Sequence, residues 1–534
     1  MVAPDLVVSG TLHTLDPDRP RAEALLAHAG RITRIGALAD CRREARPGAR
    51  FIETGRGCAV PGLADAHGHV VLHARALEEV RCGDATDEAD CVRLAAARAQ
   101  RLPPGAWVRG RGWNETRWPG GALPTAASLS SGVPDHPALL ERVDGHAAWV
   151  NRRALEWARI GPHTPDPPGG RIVRHPDGRP TGVLVDSAQE LVLARLPRPS
   201  ADELARLVAA GARDLVRFGL TAVHDAGCTS SVLRAYDRVA DADGLPLRVY
   251  AMIDGAQGDG ELEAELARWS EVPAIGRLEV RAVKHFADGA LGSRGAALLD
   301  GYADDPGNHG LILLDGAKLE ARLARIGRAG MQPAVHAIGD AACRLVLRAY
   351  AAQAAKESAF RRLRPRLEHL QFLRAEDRPL LRSSGAVASM QPLHAVSDAP
   401  MVPARVGTGT PAAQAAYAWR QVLASGAMLA FGSDFPVESP DPRLGLHAAE
   451  ARRPAGAVGP WMADERLTRE EALRAYTAGS AYAAFAEDRR GALRAGADAD
   501  VTVFGEDLFR VPLDDVPHLP VRATIVGGRV EYES

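Results

Sequence analysis

The chain of 534 residues carries 65 basic and 67 acidic side chains, for a formal net charge of −2. Charge this balanced gives no attraction for nucleic acid or an anionic membrane surface, so the expected partner is a small molecule. The length suits one large α/β domain with appendages and a sizeable buried core.

The opening stretch MVAPDLVVSGTLHTLDPDRP has no basic segment leading into a long apolar run, and no later window approaches about 18 uninterrupted apolar residues. A soluble, cytoplasmic protein is expected. Residues 1–58 read as short strands and turns (DLVVSGTLHTL, AEALLAHAGRITRIG, ARFIETGRGCAV), and residues 486–534 read alike (ADVTVFGEDL, VRATIVGGRVEYE). The two ends are expected to pair into one β-sandwich. Cys41, Cys58, Cys82, Cys91, Cys228 and Cys343 are scattered without a CxxC pair, which argues for small core residues and against a thiolate site or a disulfide framework.

From 59 to 485, apolar β-branched segments alternate with helical Ala/Leu/Arg-rich stretches. The strands expected are GLADAH, TAVHDAG, LRVYAMI, VRAVKHF, MQPAVHAIG, RPRLEHLQF, GAVASMQPL and AMLAFGSDF. Eight parallel strands with intervening helices imply a (β/α)8 barrel of the TIM type. The segment from about 73 to 205 is too long for one connection and reads as an insertion over the barrel mouth, where it would shape substrate choice. Near the end, Thr468 and Glu471 stand in capping-box spacing ahead of a helical stretch.

Chemistry-bearing residues close the strands. His67 and His69 end the first; two apart on an extended chain, their imidazoles face one side. His336 ends the fifth strand, His369 the sixth and Asp434 the eighth, so all five side chains would converge on one mouth. The fourth strand supplies Lys284, one of only three lysines in the chain. An ammonium beside a divalent cation would repel it, whereas a desolvated amine can take up CO2 and become a carbamate, a bridging anion. Arginine cannot do this chemistry.

The segments PGLADAHGH, VKHFADGALGSRGAALL, VHAIGD, RLEHLQF, FGSDFPV, LRAYTAGSAYAAF and GALRAGADADVTVFGEDL resemble the amidohydrolase superfamily. More narrowly they are similar to its family 3 branch, which includes N-substituted formamide deformylase. The insertion motifs RGRGWNETRWP, DGHAAWVN and PPGGRIV with PDGRPTGVL extend the resemblance across nearly the whole chain. It implies a metal-dependent barrel with a β-sandwich from both termini, one or two divalent ions per chain, usually Zn2+, and a homodimer. Carried over by position, His67 and His69 with Asp434 would hold one metal and His336 with His369 the second, with carboxylated Lys284 between them. Where the branch has a glutamate after TGVL, this chain has Val185 and Asp186.

The expected function is hydrolysis of a C–N bond, in an amide or N-substituted formamide, by metal-activated hydroxide, with Asp434 and His369 as catalytic residues and Asp434 as general base and acid. Trp113, His146, Asp288, Arg294 and His394 lie where substrate is expected to bind, and His285 should point away from the mouth by strand alternation. Two other readings remain open on the sequence: a mononuclear, deaminase-like member of the same barrel, and a non-catalytic ligand-binding or regulatory protein.

Overall fold

The computed structural model describes residues 5–143, 145–272 and 274–534. Eight parallel strands form the expected barrel sheet in chain order: Leu63–Gly68, Leu220–Cys228, Arg248–Asp254, Leu278–Phe286, Gln332–Ala337, Arg366–His369, Val387–Met390 and Met428–Phe431. Each contains residues of one of the segments expected from the sequence. Their near-continuous apolar character fits strands covered on both faces. Strand eight is brought back to strand one by main-chain bonds, Asp434 N–H to the His67 carbonyl at 2.7 Å and His69 N–H to the Phe435 carbonyl at 2.9 Å. This seam puts His67 and Asp434 side by side.

The two termini share one seven-stranded sheet. Its order is Arg529–Glu533, Val521–Val526, Val501–Phe504, Arg50–Pro61, Leu6–His13, Arg21–His28, Arg31–Gly36. The long strand Arg50–Pro61 joins the ends, running parallel to Leu6–His13 and antiparallel to Val501–Phe504, and the chain then enters the barrel at Leu63. Leu6, Val8, Leu25, Ile52, Val501, Val503 and Ile525 form its core.

Residues His73–Ser200 form a compact unit with a six-stranded sheet of their own. Its core holds Cys82, Cys91, Trp113, Leu140 and Trp149. All six cysteines are buried and unpaired. Among the described residues, no helix is long and apolar enough to cross a membrane.

The capping box forms as expected at helix Arg469–Arg474: Glu471 N–H donates to Thr468 Oγ1 and Thr468 N–H donates to Glu471 Oε2 at 2.8 Å. The Arg420 guanidinium also donates to both Glu471 oxygens, at 2.6 and 2.9 Å, and holds its carboxyl down to about 2. That stabilisation is complete above the unfolded value of 4.5 and disappears as pH falls through about 2. Urea unfolding of Glu471→Gln is therefore expected to show a lower stability than the parent at pH 6 and a difference that closes toward pH 2.

Candidate active site

The site is assembled where the barrel strands end. His67, His369 and Asp434 bring ligand atoms within 4.8 Å of one another. Ring centroids lie 4.8 Å apart for His67 and His369 and 4.5 Å apart for His369 and His336. Asp434 Oδ1 is 3.1 Å from His69 Nε2 and 3.7 Å from His67 Nε2, and Asp434 Oδ2 is 3.8 Å from His394 Nε2. His67, His69, His336, His369, His394 and Asp434 thus meet, but one close group pairs His67 with His369 and Asp434, whereas the resemblance divided the two histidines between metals.

Backbone geometry explains part of this convergence. On strand six, Arg366 and Glu368 share one face by alternation, which sends a regular residue 369 the other way. His369 instead has φ of 74° and Leu370 φ of 44°. These left-handed conformations cost about 1 kcal/mol or more each and aim the imidazole at the same mouth. Asp434 also sits at φ of 59°. Positive φ at both residues is of the kind that clusters at functional sites.

The His67 and His369 imidazoles are disposed as neutral rings. His67 Nδ1 donates to Glu368 Oε2 at 2.5 Å and His369 Nδ1 donates to Gln391 Oε1 at 2.9 Å, which leaves Nε2 of each ring with its lone pair. Burial lowers the pKa of His67 and His369, and that of His336 to about 3. Among the described residues, His67 Nε2, His336 Nε2 and His394 Nε2 are buried without a hydrogen-bond partner. Buried unpartnered nitrogens are costly unless a ligand or cation meets them, so the donor set fits a divalent metal. Burial alone would raise the Asp434 carboxyl, but the His69 hydrogen bond and the nearby His67, His369 and His394 rings hold it well below the usual carboxylate range.

Lys284 is 1% exposed, and its Nζ lies 4.0 Å from the centre of the Phe286 ring. Phe286 in turn packs on His336, with ring centroids 5.3 Å apart. Burial brings the Lys284 amine down to about 8, which makes the free base accessible near neutral pH. His285 points the other way, its ring filling the space a Cβ on Gly255 would need.

Among the other nominated residues, two are corrected. Trp113 is 0% exposed within the core of the His73–Ser200 unit, and its indole N–H donates to the Leu140 carbonyl at 2.7 Å, so it offers no surface to a substrate. Asp288 is 1% exposed and accepts backbone N–H groups from Ala297, Ile338 and Gly339 at 2.8–3.0 Å. It ties the loop after strand four to the turn after strand five, and its Oδ1 is 3.6 Å from His336 Nε2; with its oxygens engaged this way, it braces the site from behind. Burial pushes its carboxyl up to about 7. Arg294 forms a two-point pair with Asp304, at 2.9 and 3.2 Å. His146 pairs with Asp186 at 2.9 Å within the His73–Ser200 unit. Asp144, in the DGHAAWVN motif, lies outside the described residues.

Sequence reasoning missed the polar layer beneath the ligands. Asp65 accepts from the His67 N–H at 3.0 Å and from the Ser433 hydroxyl at 2.6 Å, bracing the seam between strands one and eight. Arg366 and Glu368 are both 0% exposed and pair at 2.6 Å inside the barrel. His224, on strand two, accepts from Arg366 through Nδ1 at 2.8 Å. A separate group, His13, Cys58 and Asp507, also has ligand-type spacing. There, however, His13 Nε2 is bonded to Asp507 at 2.7 Å and Leu508 N–H donates to Cys58 Sγ, so the donors already have partners.

Comparison with known proteins follows the same lines. YtcJ of Bacillus subtilis (strain 168) is 32% identical over 537 residues, covering 98% of each chain. The N-substituted formamide deformylase of Arthrobacter pascens is 28% identical over 542 residues, covering 99% of this chain and 98% of that protein. The crystal structure of an uncharacterized metal-dependent hydrolase from Pyrococcus furiosus superposes with a TM-score of 0.77 at 26% identity, covering 93% of this chain and 97% of that one. The model of the amidohydrolase family matches residues 56–532, and the chain belongs to that family.

Proposed function

We propose that this chain is a metal-dependent hydrolase that cleaves the C–N bond of a small-molecule amide or N-substituted formamide. The observation that carries the reading is the buried convergence of His67, His369 and Asp434, with His67 Nε2 and His336 Nε2 left unpartnered. The name of the Arthrobacter relative supports the substrate class. In this reading His67, His69 and Asp434 would hold one divalent ion and His336 and His369 a second, zinc suiting a set of imidazoles and a carboxylate. Addition of the Lys284 amine to CO2, with formation of an N–C bond and release of a proton, would turn this buried cation into a carbamate anion able to help hold divalent metal.

When bound, divalent metal supplies a strong nucleophile from water at neutral pH and polarises the carbonyl under attack. The residues do the rest. Asp434 accepts the proton of the attacking water and delivers it to the departing amine nitrogen, the two tasks of one positioned carboxylate. His394, 3.8 Å from Asp434 Oδ2, faces the same volume and can donate to a substrate oxygen from Nε2. Burial of these groups excludes bulk water from the transfer.

A single-ion arrangement is the competing reading, favoured by the closeness of His67, His369 and Asp434. The test is amine release from a panel of N-substituted formamides and amides, measured beside metal content for the parent and Lys284→Ala. The proposed arrangement gives hydrolysis with about two metals per chain, both falling in the variant. One metal that survives the substitution, with activity, selects the single-ion site; no hydrolysis by metal-loaded parent contradicts the reading.

A further inference from the structure

The fully buried ion pair beneath the ligands has the geometry of a device for one imidazole. Arg366 Nε donates to Glu368 Oε1 at 2.6 Å, and Nη2 donates to the Ala66 carbonyl at 2.6 Å, to Ser389 Oγ at 3.0 Å and to Glu368 Oε2 at 3.3 Å. Nη1 donates to His224 Nδ1 at 2.8 Å. The guanidinium is thereby tied to strands one, two, six and seven. Glu368 presents its Oε2 to His67 Nδ1 at 2.5 Å.

We infer that Glu368, held by Arg366, is a positioning residue that sets His67 in its metal-accepting tautomer and ring orientation before any cation arrives. The inference rests on the reading of His67 as a metal ligand. Its logic is that of linked contacts. A carboxylate can only accept, so the proton of a neutral His67 ring lies on Nδ1 and the lone pair on Nε2. A carboxylate behind a metal-ligating imidazole fixes the ring and strengthens it as a donor. Burying that carboxylate needs a matching cation, and removing either partner alone leaves an uncompensated charge. Arg366 supplies the cation, and its further bonds to Ala66 and Ser389 keep Glu368 from rotating away. The orphaned His67 Nε2 is the free end of this chain of bonds.

The experiment separates positioning from mere folding. Two variants remove both charges: Arg366→Met with Glu368→Gln, which keeps an oxygen for His67 Nδ1, and Arg366→Met with Glu368→Leu, which does not. Replacing a buried ion pair as a unit is tolerated far better than breaking it. Zn2+ affinity, read by competition with a chromophoric chelator, is expected to fall about 10–100-fold in the Met/Leu variant, with most of the loss recovered in the Met/Gln variant. In the metal-free parent, 15N chemical shifts of the His67 ring are expected to show the proton on Nδ1. Equal Zn2+ affinities in the two variants, or a parent ring protonated on Nε2, would overturn the inference. A parent that binds no Zn2+ while keeping the Nδ1 proton would contradict the assignment of His67 as a ligand and overturn the inference with it, an outcome distinct from the two failures of Glu368 itself.

Discussion

Replacing Asp434 with asparagine is expected to reduce turnover by about 10³-fold while most of the metal and the fold are retained. Asparagine has the shape of aspartate and keeps one side-chain oxygen, so His69 Nε2, now 3.1 Å from Oδ1, retains an acceptor. It also tolerates the left-handed backbone, with φ of 59°, that residue 434 adopts, so the substitution adds no conformational cost. What is lost is basicity: an amide can neither take a proton from attacking water nor return one to a leaving amine. The check is kcat on the best amide substrate beside metal content by plasma mass spectrometry. Loss of metal in step with turnover would reassign Asp434 to a ligand role alone.

Gly432→Ala is expected to damage the site nearly as severely without touching a ligand. A Cβ at this position would lie 2.4 Å from the His67 amide nitrogen and 2.7 Å from Asp65 Oδ1. The first neighbour is main chain on the adjacent strand, so relief requires strands one and eight to part. That seam is where Asp434 N–H meets the His67 carbonyl at 2.7 Å and where Asp65 braces Ser433. Overpacking of this kind costs about 1–3 kcal/mol in stability. The larger consequence is geometric, because His67 and Asp434 both move. A lowered melting temperature together with a metal affinity weakened at least tenfold is the expected result; parent-like metal affinity would show that the seam does not position the ligands.

His67, Lys284, His336, His369 and Asp434 were legible in the sequence because each is a polar residue closing an apolar strand, and strand ends on one face of a barrel share one mouth. Arg366 and Glu368 were not. The run Arg-Leu-Glu-His alternates like a strand with one solvated face, and only closure of the barrel turns the charged face inward. The pairing of His67 with His369 was hidden for a related reason: it depends on the positive φ at residue 369, a local departure that alternation does not anticipate. Asp288 looked like a substrate contact because it follows the lysine strand, yet two of the three N–H groups that engage it come from residues 50 and 51 positions away. Trp113 illustrates the ambiguity of aromatic residues in an insertion, since a pocket wall and a sheet core have the same composition until the hydrogen-bonded register is known.

The central claim is that the buried histidines and Asp434 hold a divalent metal on which amide hydrolysis depends. Its most direct test is metal content per chain, measured by plasma mass spectrometry on protein purified without chelator and followed through stripping and reconstitution with Zn2+ alongside amine release. The account predicts about two metals per chain, with activity lost on stripping and restored in proportion to the metal returned. A protein that takes up no metal on reconstitution, or that hydrolyses amides equally well without it, would contradict it.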